Sequence, residues 1–422
     1  MSSVDVLINL DPKDQYVRMR ADYLSAQEAA TRLGVSPATL YAYVSRGKID
    51  SRPGADGRSR EYLADDIERL IERRQAGRGA AKAAARSLTW GLPVLETRIS
   101  LIRPNGHYYR GESAIALATD GASLEDVARL LWGGDGDPFA TMPPRSWPGA
   151  VAMLMRRDDV PPQERTAAAL PLIALTSPYT HSSDAQQRRE CAARLLRETA
   201  ALLCGIRPSH QPIHRVMAGN WHEGDEGLAE IVRSTLVLCA DHELNASAFA
   251  TRVAASTGAS LHSAVSAGLA ALSGPQHGGA AARAYALIQE AQRDRRPADH
   301  VRERLRRGDE LPAFGHPLYP DGDPRAALLL RMLDDMRPRL SGLVRIRQLV
   351  DAVHDSVGRQ PSLDFALATI ATLYGLGPHA ALSLFAAGRM AGWLAHALEQ
   401  QDYGGLIRPR ANYAGTPPGR RD

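Results

Sequence analysis

The chain has 422 residues, 44% hydrophobic and 23% charged, the balance of a soluble globular protein long enough for two or three domains. Its net charge of +4 is too small over that length to signal a nucleic-acid coat. Three cysteines, Cys191, Cys204 and Cys239, are odd in number and form no CxxC or other metal spacing, which points to buried thiols in a reducing cytoplasm rather than a disulfide framework.

Residues 1–21 read as a polar tail whose early acids and lack of an apolar stretch exclude a secretory signal. Residues 22–75 carry the signals of a small helical domain. Ser25 with Glu28 three residues later is a capping box that starts one helix. Ser36 before Pro37 starts a second, with proline at the first helical position. Leu33-Gly34-Val35 between them is the turn of a helix-turn-helix, with Ala29, Leu33, Leu40 and Val44 packed inward. Ala38, Thr39, Tyr41, Ala42 and Ser45 are left on the outer face of the second helix. The segment SRPGADGRSREY suits a hairpin wing over a phosphate backbone, and LADDIERLIERR closes the block as a helix. Arg46, Lys48, Arg52, Arg58 and Arg60 are the candidate phosphate contacts, whereas the outer face of the second helix has no Arg, Lys, Asn or Gln to read bases. The block resembles the winged helix-turn-helix of the mercury-resistance-regulator (MerR) and excisionase group. DNA contact and a protein-interaction or regulatory role are both open readings of it.

Residues 76–90 are a basic linker of small residues. Beyond it, alanine-rich segments with apolar residues recurring at three and four alternate with Gly/Pro breaks, so the large block is mainly α. Strand signals are limited to the neighbourhood of TRISLIRPNGHYYRG. The longest apolar stretch, Ala380 to Leu398, contains Arg389 and His396, which argues for a core helix and against a membrane span.

Chemistry-bearing residues fall in a few distinctive strings of this block. His277 lies in LSGPQHGGAAARA, where small neighbours leave room for close approach, and His316 lies in FGHPLYPDGDPRA; both are Gly/Pro-rich turns. Asp364, in SLDFALA, opens an apolar helix, so a desolvated and therefore stronger carboxylate base is expected, with a simple helix cap as the plainer reading. Histidines nearby suit an oxygen gaining charge, and the arginines Arg325, Arg389 and Arg408 suit a polyanion held by forked contacts. No metal spacing is present. Together these residues suit proton abstraction beside a carbonyl followed by carbon–carbon bond formation.

The same strings resemble the citrate synthase family over about residues 92–422: GPQHGG its first histidine loop, FGHPLYPDGDPRA its second, LDFALA its aspartate segment, DHELNASAFATRVAASTG its substrate-histidine region, and GWLAHALEQ and IRPRANYAG its C-terminal arginine segments. The resemblance implies an almost wholly helical fold with a large domain, 91–275 and 381–422, and a small domain, 276–380, that closes over the substrates. It implies an acyltransferase that condenses acetyl-CoA with oxaloacetate and hydrolyses citryl-CoA. Asp364 would take the methyl proton, His277 would stabilise the enol, and His316 would polarise the oxaloacetate carbonyl. His242, Arg325, Arg389 and Arg408 would bind oxaloacetate, Arg408 from the neighbouring subunit of a homodimer or higher oligomer. No cofactor is implied, acetyl-CoA being a substrate. Gln276 and Pro317 depart from the family's usual residues in the loops beside the acyl group, so a 2-methylcitrate synthase using propionyl-CoA is an alternative. A DNA-binding regulator with a synthase-like sensor domain is another. A cytoplasmic enzyme with no membrane contact is expected.

Overall fold

The computed structural model describes residues 23–54, 59–64, 66–68, 70–71, 95–140, 146–294 and 296–409. The polar tail, the basic linker, the loop with Arg58 and the last residues from 410 on lie outside this set. The chain divides into two compact units, one within Met1–Glu96 and one spanning Thr97–Pro409.

In the first unit, β1 (Tyr23–Ser25) leads into α1 (Ala26–Leu33) and α2 (Pro37–Ser45). Ser25 and Glu28 form the expected reciprocal cap: the Glu28 N–H donates to Ser25 Oγ at 3.3 Å and the Ser25 N–H to Glu28 Oε2 at 2.9 Å. Gly34 ends α1 in the left-handed conformation at φ 61°, which a side chain would resist, and Ser36 caps α2. Strands β2 (Ser51–Pro53) and β3 (Arg60–Leu63) pair antiparallel as a wing, and β1 adds to the other edge of β3. Helical residues follow within 64–71. Ala29, Leu33, Leu40, Ile49, Tyr62 and Ile67 form the core, with Val44 packed against it. The outer face of α2 exposes Ala38, Tyr41 and Ser45.

The second unit opens on a hairpin, β4 (Ser100–Arg103) and β5 (Gly106–Tyr109), where the strand-like sequence signal lay. Strand β6 (Glu112–Ser113) joins β5, and the rest is helix. The helices are α3 (Ala114–Thr119), α4 (Leu124–Trp132), α5 (Gly149–Leu154), α6 (Pro162–Ala174), α7 (Ala185–Cys204), α8 (Ile213–Trp221) and α9 (Glu226–Cys239), then α10 (Ala246–Ser256), α11 (Leu261–Leu272), α12 (Gly279–Arg293) and α13 (Pro297–Arg307), and finally α14 (Pro324–Met336), α15 (Leu343–Val357), α16 (Leu363–Leu373) and α17 (Ala380–Tyr403). One buried cluster centres on α7, α9, α11 and α17, and a second joins Ala284 and Leu287 of α12 to Ile346 and Leu349 of α15 and Phe365 of α16.

Helix α17 is the axis of the large cluster. Its apolar run is buried nearly all round, which accounts for the membrane-like sequence. No described helix is long and apolar enough to cross a membrane. Two glycines let α17 touch the end of α9. A Cβ on Gly388 would stand 2.7 Å from the Leu236 carbonyl oxygen, and one on Gly392 2.3 Å from that of Ala240. The Gly392 N–H instead donates to Ala240 O at 2.9 Å. The far end of α17 is tied to the start of the unit: Glu399 accepts from Thr97 Oγ1 and the Arg98 N–H, both at 2.8 Å, and pairs with the buried Arg252 at 2.9 Å.

Candidate active site

The site forms where the end of α9 and the starts of α14 and α16 meet the middle of α17. His242 follows the end of α9 and is 9% exposed. Its ring packs edge-on against His107 of β5 at 5.8 Å, His316 at 5.5 Å and Tyr319 at 5.6 Å between centroids. Its Nε2 is 2.9 Å from the Tyr319 hydroxyl. Burial, then the charges of Arg325 and its neighbours, hold its pKa well below the usual histidine value.

The His316 loop is laced by backbone bonds to the segment that delivers Asp364. The Gly315 N–H donates to Gln360 O at 2.7 Å, and the Ser362 N–H to Ala313 O at 2.9 Å. Gly315 sits at φ +83°, the left-handed region that glycine adopts without strain. His316 Nδ1 accepts from the Leu318 N–H at 3.2 Å, so the ring's own proton is on Nε2. Burial lowers its pKa to about 4, keeping it neutral.

Asp323 holds the two loops together. It caps α14 by accepting from the Arg325 N–H at 3.0 Å, and its other oxygen caps α16 by accepting from the Leu363 N–H at 3.0 Å. Arg325 grips the same carboxylate with Nε at 2.9 Å and Nη2 at 2.8 Å, both side chains being almost wholly buried. Arg325 therefore presents an internally occupied fork, which balances the acid beside it and leaves ligand contacts to its remaining N–H groups. Against burial, which favours the neutral acid, Arg325 keeps the Asp323 carboxylate ionised. Asp364, half-buried in the first turn of α16, is not the cap of its helix; Ser362 holds that position and Asp323 serves the terminus. Burial raises the Asp364 pKa to about 6, Arg325 opposing and Asp323 adding to the rise.

His277 sits in the turn between α11 and α12. The His277 N–H donates to Gly274 O and the Gly278 N–H to Leu272 O, each at 3.0 Å. A Cβ on Gly278 would lie 2.3 Å from Leu272 O, so this glycine is required by the turn itself, whatever approaches the loop from outside. His277 Nε2 lies 2.8 Å from Ser247 Oγ, which also accepts from Trp393 Nε1 at 3.1 Å and lies 2.8 Å from Asn245 Oδ1, the cap of α10. Burial and Arg389 lower the His277 pKa to about 4. Arg389, 1% exposed, donates from Nε to Cys239 O at 2.8 Å and lies over the Phe385 ring, which packs edge-on to His277.

The structure thus gathers His242, His316, Arg325 and Asp364 around Asp323 and Tyr319, with His277 and Arg389 joined through Phe385. Arg408 is not among them. It is exposed on the segment after α17. In the first unit Arg46, Lys48 and Arg60 are exposed, but Arg52 is engaged: it pairs with Glu61 at 2.7 Å and stacks on the Tyr23 ring at 3.7 Å. Cys191 and Cys239 are buried and Cys204 half-buried, all as free thiols. Residues the sequence did not single out are His107, Ser247, Tyr319 and Asp323. Only Asp323 had a local signal, its place before the proline that starts a helix.

A family model described as citrate synthase, C-terminal domain, matches residues 87–410, and one described as a helix-turn-helix domain matches residues 23–75. The citrate synthase of Haloferax volcanii is 30% identical, over 77% of this chain and 94% of its own length. The 2-methylcitrate synthase of Shewanella oneidensis is 28% identical, over 76% and 93%. The crystal structure of citrate synthase from Thermotoga maritima superposes with a TM-score of 0.62 at 25% identity, covering 79% of this chain and 98% of that one.

Proposed function

The chain belongs to the citrate synthase family, and from that premise we propose that it condenses acetyl-CoA with oxaloacetate and hydrolyses citryl-CoA to citrate and CoA. The observation that carries the reading is the raised carboxyl of Asp364, a base with a pKa near 6 on the segment that backbone bonds lace to the loop of the neutral His316.

Asp364 removes a proton from the acetyl methyl group, a weakly acidic carbon that needs a base stronger than a solvated carboxylate. His277 hydrogen-bonds the thioester oxygen as the enol forms. His316 Nε2–H donates to the oxaloacetate carbonyl as the enol attacks it. His242, Arg325 and Arg389 bind the oxaloacetate oxygens, Arg325 with the N–H groups that Asp323 leaves it. Arg408, exposed in its own subunit, completes the site of a neighbouring subunit, so the smallest active unit is a homodimer. The small domain, 276–380, closes over the substrates and keeps water out until the carbon–carbon bond is made. The free thiols suit a reducing cytoplasm.

Release of free CoA thiol from acetyl-CoA, dependent on oxaloacetate, tests the reading; no release with either acetyl- or propionyl-CoA sinks it. The same assay with both acyl-CoAs decides the second reading, a 2-methylcitrate synthase, which the Shewanella relative supports. DNA binding by the helix-turn-helix unit is the remaining alternative role. The engaged Arg52 and the lack of base-reading side chains on α2 weigh against it, and a gel shift at two salt concentrations tests it.

A further inference from the structure

His107 is 1% exposed on β5 and takes no part in the mechanism above. Its Nε2 is 3.0 Å from the Tyr109 hydroxyl. That hydroxyl has one proton, which it donates to the Val237 carbonyl at 2.8 Å, and the Asp241 N–H donates to it at 3.3 Å. Toward His107 it can therefore only accept, so the imidazole proton is on Nε2 and Nδ1 is a lone pair. Nδ1 is buried and pairs with no protein group among the described residues. A buried acceptor left unmet destabilises the fold that contains it, which points to a partner supplied from outside the chain.

The ring stands edge-on to His242, at the heart of the proposed oxaloacetate pocket. Burial, then Arg325, lowers its pKa to about 3, so it remains a neutral acceptor across the working range. The guanidinium groups near it, those of Arg325 and Arg389, only donate, which suits ligand carboxylates. Nδ1 repels a carboxylate oxygen and is satisfied only by a ligand O–H or N–H. Ionised oxaloacetate in its keto form has neither. The condensation product has one: the tertiary hydroxyl that replaces the carbonyl.

We propose that His107 Nδ1 accepts a hydrogen bond from the hydroxyl of the hydroxytricarboxylate product, so that β5 contributes a residue by which the pocket tells product from oxo-acid substrate. The proposal rests on the citrate synthase reading of the pocket. Its test is calorimetric binding of three probes to the full chain: citrate, tricarballylate, which is citrate without the hydroxyl, and oxaloacetate. The wild-type protein prefers citrate to tricarballylate. His107→Leu weakens citrate about tenfold and leaves tricarballylate unchanged, abolishing the preference. His107→Asn, which places an amide oxygen where Nδ1 stood, restores it. The inference is overturned if His107→Leu keeps the preference, or if all three probes weaken alike with a lowered melting temperature, the mark of a purely structural residue. Wild-type protein that binds oxaloacetate yet does not prefer citrate overturns the inference alone; one that binds none of the three overturns the reading beneath it as well.

Discussion

Asp364 is held in two ways at once. Its helix and loop bury it enough to raise its pKa to about 6, while Arg325 nearby stops the rise from going further. A base must be ionised to act, so kcat/KM is expected to fall about tenfold per pH unit below 6 and to level off above it, a limb that a pH series of thiol release would trace. Asp364→Asn should lower kcat by about 10²–10⁴-fold with the melting temperature unchanged or raised, since an uncharged amide removes a desolvated carboxylate. Undiminished turnover would take Asp364 out of the base role. His277 and His316 were legible in the sequence because each lies in a run of turn residues whose composition marks it out, Asp364 because it opens an apolar helix, and His242 through the resemblance of its string. His107 and Ser247 were not, because strand or helix residues become site residues only when remote segments meet: 135 positions separate His107 from the His242 it touches, and 146 separate Ser247 from the Trp393 that donates to it.

Among the elements, caps and close crossings decide the geometry. The capping box of α1, the Gly34 turn and the proline start of α2 were local patterns, and they appear where the sequence placed them. The cap of α16 was not local. It is supplied by Asp323, 40 residues earlier, and no pattern within a helix's own sequence announces that. The crossing of α17 over the end of α9 is equally non-local. Gly392→Ala would drive a methyl group into the Ala240 carbonyl, with about 1–3 kcal/mol of destabilisation expected from chemical denaturation. A change below about 0.5 kcal/mol would show that the crossing can slide apart.

At the scale of the whole molecule, the buried imidazoles set the acid limit. His107, His214, His242, His262, His277 and His316 all have pKa values pushed below 6.5, chiefly by burial. Unfolding below pH 6.5 lets each take up a proton that the native state refuses. Their contribution to stability is complete above 6.5 and is lost as the pH falls toward 4, whereas Asp364, with its raised value, works in the opposite direction below 6. Glu125 and Glu243, also raised by burial, act with Asp364, so six imidazoles stand against three carboxyls and the melting temperature should drop from pH 6.5 to 4. A flat profile would mean that these rings are solvated in solution. Because every residue of the gathered site lies within Thr97–Pro409, a chain lacking the helix-turn-helix unit should keep turnover close to that of the full protein.

The position of α17 also bears on how the protein is made. The helix around which the large cluster is built follows the other described helices of its unit in the chain, and its Glu399 fastens the first residues of the same unit, 302 positions upstream. Most of the unit must therefore wait, collapsed but uncentred, until α17 has been made, when that helix inserts and the two ends of the unit are joined. Nascent chains arrested before Ala380 should remain protease-sensitive and chaperone-bound, and extension through the 24 residues of α17 should convert them to the native state in one cooperative step.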